Sequence, residues 1–145
     1  MPRLDYAATA HSSASPDVVF EVLYDAPRWQ EWAPLIAVSR WEDDSVEGVG
    51  AVRLAGARGS VVRERITVHE PPLRHGYEIL ADRPARDYRA LVELTPEGAG
   101  TLIRWAGSFE PNPAITGRPY QLFLRWFMNR LAHALAREAE RHQGI

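Results

Sequence analysis

The segment Arg63-Glu64-Arg65 is the first place in this chain where chemistry could reside. Strand alternation turns Glu64 to the side of Ile66 and Val68 and sends both arginines the other way. A carboxylate turned inward needs a partner. Arg53 falls diagonally across the expected hairpin on the same face, where its planar fork could make a charge-assisted pair, bidentate if the geometry allows. Such a pair either anchors a ligand's carbonyl or hydroxyl or is an internal ion pair. His75 shares that face and has the unperturbed pKa of about 6.5 that suits a general base. No nucleophile or orienting acid accompanies it, which favours a hydrogen-bonded core or rim histidine. Glu64 and His75 are the acid/base candidates, and the catalytic set is otherwise undefined. Tyr77, Tyr88 and Trp105, with Phe109, Phe123 and Phe127, offer aromatic walls and phenolic hydroxyls, the mix expected of a pocket for flat apolar ligands. At strand or helix spacing the same residues also make plain core. The candidate ligand-binding set is therefore Arg53, Glu64, Tyr77, Tyr88, Trp105, Phe123 and Phe127.

Several function classes find no support. The chain of 145 residues has a formal net charge of -2, and its basic residues, all arginine apart from five histidines, are interleaved with acids rather than gathered into a nucleic-acid stripe. There is no cysteine, hence no disulfide or thiolate site. Gly48-Val49-Gly50 lacks the third glycine and following helix of a dinucleotide fingerprint. No serine sits in a G-x-S-x-G elbow, and no histidine spacing suits a metal. His69 falls on the opposite alternation phase from His75, which separates them as ligands. No metal and no cofactor is expected. With no apolar leader in MPRLDYAATAHSS and no run long enough to span a bilayer, a cytoplasmic protein is expected.

These residues must be positioned by a small set of elements, expected to form one domain over residues 1–145. Leu4 to Ala10 alternates as a strand. Ser15 is an N-cap candidate, Pro16 suits the first helical turn, and Val18, Val19, Val22 and Leu23 supply a buried side. Asp25-Ala26-Pro27 breaks that helix, and Arg28 to Trp32 forms another turn. Six strands then follow at short spacing: Leu35 to Glu42, Gly50 to Ala55, Val61 to Glu70, Leu73 to Ala81, Asp87 to Thr95 and Thr101 to Glu110. A turn at Gly56 to Gly59 sets Arg53 opposite Val62 and Ala51 opposite Glu64. Pro71-Pro72 sets Ile66 near Tyr77 and Glu64 near Ile79, and Val92 falls beside Trp105. After a loop punctuated by Pro111, Pro113 and Gly117, Pro119 to Gln143 forms one long helix. Its apolar face runs through Phe123, Phe127, Leu131, Ala134 and Glu138, widened by Leu124, Met128 and Leu135.

Strand, two short helices, six antiparallel strands and a long closing helix is the order of the helix-grip fold. The segments SASPDVVFEVLYDAPRWQEWAP, GVGAVR with VVRERITVHEPPLRHGYEI, and DYRALVELTPEGAGTLIRWAGSFEP resemble the SRPBCC or START-like superfamily, and within it the polyketide cyclase/dehydrase-type proteins. The resemblance covers nearly the whole chain. It implies an α+β helix-grip (START/Bet v 1-like) fold, with a curved antiparallel sheet wrapped around the C-terminal helix. It also implies a cavity between them for an apolar or aromatic molecule, a lipid or polyketide-like metabolite. Some relatives cyclise polyketides and others only bind. Binding is the leading expectation. The rivals are a cyclase or dehydratase acting on such a ligand, and a ligand-free interaction protein that pairs through Leu122 and Trp126. Either a monomer or a homodimer fits.

Overall fold

The computed structural model describes residues 3–82, 84–112 and 117–143. The expected punctuation at Pro113, and part of the turn around Asp82 to Pro84, lie outside these residues. In chain order the elements are β1 (Leu4–Ser12), α1 (Pro16–Tyr24), a 3-10 turn (Ala26–Arg28), α2 (Trp29–Trp32), β2 (Val38–Trp41), β3 (Val52–Ala57), β4 (Ser60–Glu70), β5 (Arg74–Ile79), β6 (Ala85–Glu97), β7 (Gly100–Pro111) and α3 (Gly117–Gln143). The seven strands form one antiparallel sheet in the order β1-β7-β6-β5-β4-β3-β2. β1 skips past the rest of the chain to pair with β7, and α3 lies against the concave face. This is the helix-grip architecture.

Alternation fixes which side chains face α3. On β6 and β7, Tyr88, Ala90, Val92 and Leu94, and Ile103, Trp105 and Phe109, are buried, whereas Arg89 and Arg104 are exposed. The pairs Ile66/Tyr77, Glu64/Ile79 and Val92/Trp105 form as the alternation requires.

Three expectations on β2 to β5 need correction. Arg53 pairs directly with Glu64, and Ala55 with Val62, because the connecting turn is only Arg58-Gly59, with Gly59 at φ 80°. The register is therefore offset by two residues from the expected one, and an even offset leaves every side chain on its face. The strand expected from Leu35 is confined to Val38–Trp41, since Leu35 stands at φ 62° in the preceding turn. A β-bulge lies between Ile66 and Val68, after which Val68 pairs with Gly76 and His69 with His75. One extra residue at Thr67 reverses the alternation. Val68, expected inside, covers Gly76 on the outer face. His69, expected outside, joins His75 on the inner one, with ring centroids 6.5 Å apart.

The rotation of α3 also differs from expectation. Its buried stripe is Leu124, Met128, Leu131, Leu135 and Ala139, flanked by Gln121, Ala132 and Ala136. Phe123 is 45% exposed, and Phe127, Ala134 and Glu138 lie at the margin rather than in the centre. Two polar ties to β1 and its end set this rotation: Gln121 Nε2 donates to the Asp5 carbonyl at 2.7 Å, and Ser12 Oγ donates to the Ala136 carbonyl at 2.9 Å. The alanines let the helix come close on that side. At the start of α1, Ser15 occupies the N-cap position without a side-chain capping bond, and Pro16 opens the helix.

Candidate functional site

A cavity of about 330 Å³ lies between the concave sheet and the first half of α3. Tyr77, Tyr88 and Trp105 form its floor, Glu64 and Val62 one wall, and Leu124, Met128 and Leu131 its roof. Trp29 from α2 and Leu35 and Ile36 from the following turn close one end. Tyr120, Phe123 and Phe127 bound it along the helix margin. There the rings of Phe123 and Phe127 stack nearly parallel at 5.8 Å. Of the residues expected to bind ligand, Glu64, Tyr77, Tyr88, Trp105, Phe123 and Phe127 line this space.

Arg53 is brought to the same region but sits behind the wall. It is wholly buried, donates from Nε to Glu64 Oε1 at 2.8 Å, and has Nη1 3.2 Å from His75 Nε2. Its guanidinium lies over two aromatic rings, 4.3 Å from the centroid of Trp29 and 4.9 Å from that of Tyr77. Trp29 is itself fixed by its indole N–H donating to the Leu23 carbonyl. Arg53 can only donate, so His75 must accept at Nε2 and carry its proton on Nδ1. Burial, followed by the positive charge of Arg53 and then His69, holds His75 well below the ordinary histidine range. His75 is thus a neutral acceptor for Arg53 and does not line the cavity. Arg53 Nη2, His75 Nδ1 and His69 Nδ1 are buried, with no hydrogen-bonding partner among the described residues.

The floor is a phenol network. The Trp105 indole N–H donates to the Tyr77 hydroxyl at 3.1 Å, and the Tyr6 and Tyr88 hydroxyls are hydrogen-bonded to each other. Burial raises all three tyrosines above the ordinary phenol value. They are protonated across the physiological range and offer neutral O–H groups.

The family described as polyketide cyclase / dehydrase and lipid transport matches residues 3–142. The chain belongs to that family. An uncharacterized protein of Mycobacterium tuberculosis is 28% identical over 136 residues, covering 85% of this chain and 79% of that protein. Among solved structures, an uncharacterized protein from Bacillus thuringiensis superposes with a TM-score of 0.76 at 19% identity, covering 94% of this chain and 98% of that one. Ara h 8.0201 superposes at 0.77 with 14% identity, covering 97% and 99%. The di-domain ARO/CYC StfQ from the steffimycin biosynthetic pathway superposes at 0.78 with 18% identity, covering 99% of this chain and 53% of that one. At these identities the likeness is one of fold.

Tyr6 is the cavity-floor partner that the expectations for this polyketide cyclase/dehydrase family member left out. The usable signal was Gly107, which faces inward on β7 directly opposite Tyr6. A Cβ there would stand 2.5 Å from the Tyr6 hydroxyl, so the missing side chain marks the room the phenol occupies. Among the described residues no helix is long and apolar enough to cross a membrane.

Proposed function

We propose that this protein binds a hydrophobic or aromatic small molecule, a lipid or polyketide-like metabolite, between its sheet and α3. The observation that carries this reading is the cavity of about 330 Å³, walled by aromatic and aliphatic side chains with a few polar groups at its floor. Family membership and the fold shared with an aromatase/cyclase of a biosynthetic pathway support the ligand class. In this reading Glu64 and Tyr77 orient the ligand directly, and Arg53 acts by holding Glu64. For the catalytic alternative, His75 is screened from the cavity with its Nε2 engaged by Arg53, which leaves Glu64 as the acid/base candidate that lines it.

The test is titration with the neutral apolar dye Nile red, against the wild type and Val62→Trp. Val62 lines the cavity without belonging to the buried core, so an indole there fills ligand space at little structural cost. Saturable binding by the wild type and a loss of roughly tenfold or more in the variant, with its melting temperature retained, is the expected result. A wild type that binds neither the dye nor any co-purifying molecule detectable by native mass spectrometry would overturn the reading.

A further inference from the structure

Glu64 is the one charged side chain among the described residues that line the cavity. It keeps 13% of its side-chain surface exposed while its partner Arg53 keeps none. The ion pair is therefore oriented, with its anionic end at the cavity and its cationic end in the core. A ligand cannot reach around to the cation. The guanidinium lies over the Trp29 and Tyr77 rings, Nε is spent on Glu64, Nη1 is directed at His75, and Nη2 is buried.

The acceptor capacity of Glu64 is only partly used. Among the described residues Arg53 Nε is its hydrogen-bond donor, at Oε1, whereas an ionised carboxylate offers about four lone-pair sites. The neighbouring phenols are less free. Tyr77 already accepts from Trp105, and Tyr88 is joined to Tyr6. The same carboxylate reaches Tyr77 and Tyr120 electrostatically: after burial, it is the next cause raising both, Tyr120 to about 12.

We infer that Glu64 is the specificity-determining residue of the cavity and selects a ligand whose buried end is a hydrogen-bond donor, such as a hydroxyl, phenol or ammonium, while rejecting a carboxylate there. This rests on the cavity-binding reading and sharpens its ligand class. A donor satisfies the lone pairs that Arg53 leaves open. An anion would meet a like charge beside a mostly buried carboxylate, and would leave the Glu64 acceptors unpaired.

A matched pair of probes tests this, 2-naphthol and 2-naphthoate, each competing against Nile red at neutral pH. For the wild type, naphthol is expected to bind roughly tenfold or more tighter than naphthoate. In Glu64→Gln the repulsion is gone and Arg53 is no longer neutralised, so naphthoate should gain and the preference should collapse or reverse. Equal affinities in the wild type, or tighter naphthoate, would overturn the inference and leave the binding reading standing. A folded Glu64→Gln that keeps the wild-type preference would overturn the assignment to Glu64. Failure of both probes and of the dye would remove the binding reading itself. If Glu64→Gln does not fold, the double variant Arg53→Met/Glu64→Met, which removes both charges and leaves neither unpaired, takes its place; it is expected to lower the naphthol-to-naphthoate ratio, and a ratio kept at the wild-type value would overturn the assignment to Glu64.

Discussion

Gly107 and Tyr6 occupy one volume between them, and neither can change alone. A methyl group at position 107 would press on the Tyr6 ring, whose phenol atoms lie 2.5 to 2.7 Å from the site. Gly107→Ala is therefore expected to destabilise the protein by about 1–3 kcal/mol, the usual cost of overpacking, read as a lower urea midpoint. His75 makes a different demand. Its pKa is depressed, so as pH falls the unfolded chain takes up a proton first, from about 6.5 downward, while the folded chain does not. The stability associated with His75 is complete above about 6.5 and is lost as pH falls toward the lowered folded value. The urea midpoint of the wild type should drop between about pH 7.5 and about pH 5, and His75→Gln should show a smaller drop. A drop of equal size would remove His75 as its source.

At the scale of elements, α3 divides its work along two sides. Leu135 is fully buried and remote from the cavity lining, whereas Phe127 is at the margin and lines it. Leu135→Ala should cost about 2–5 kcal/mol of stability with ligand affinity retained in the folded fraction. Phe127→Ala should weaken Nile red binding with a smaller stability loss. Equal losses with unchanged affinity would contradict this division. The sequence made the helix legible but not its rotation, because Phe123 and Phe127 are larger and more apolar than the alanines that face β1. Periodicity weighs hydrophobicity, and the actual packing is set by closeness and by the Gln121 and Ser12 ties. The bulge at Thr67 escaped for a related reason: alternation assumes an unbroken ladder, and nothing in Ile66-Thr67-Val68 signals an extra residue. The offset at Arg58-Gly59 shifted a register without moving a face, which is why Arg53 and Glu64 were still placed together.

For the whole molecule, a cavity of about 330 Å³ between sheet and helix is packing that the folded state forgoes. A ligand filling it should be felt as global stability. At a free concentration about 100 times its Kd, a neutral apolar ligand should add about 2.7 kcal/mol and raise the melting temperature by roughly 5–10 °C. A ligand that competes with Nile red yet leaves the melting temperature unchanged would have to bind the unfolded chain as well as the folded one. The fold class was readable because turn signals, alternation and the long helix pointed one way. The cavity's electrostatics were not, since the difference between a wall residue and the layer behind it, Glu64 against Arg53, is a matter of depth that alternation does not report.

The pairing of β1 with β7 also bears on how the chain assembles. Leu4 finds its ladder partner at Phe109, and Ser12 at Thr101, so the first strand emerges long before any strand that can hydrogen-bond to it. Its other neighbour, α3, arrives later still. Joining such distant segments carries a loop-closure cost and slows folding. The meander β2 to β7 can form from local hairpins as it is made, but the cavity has no roof until Leu124, Met128 and Leu131 of α3 are in place. Ligand capture therefore awaits α3, which follows every strand of the sheet in chain order.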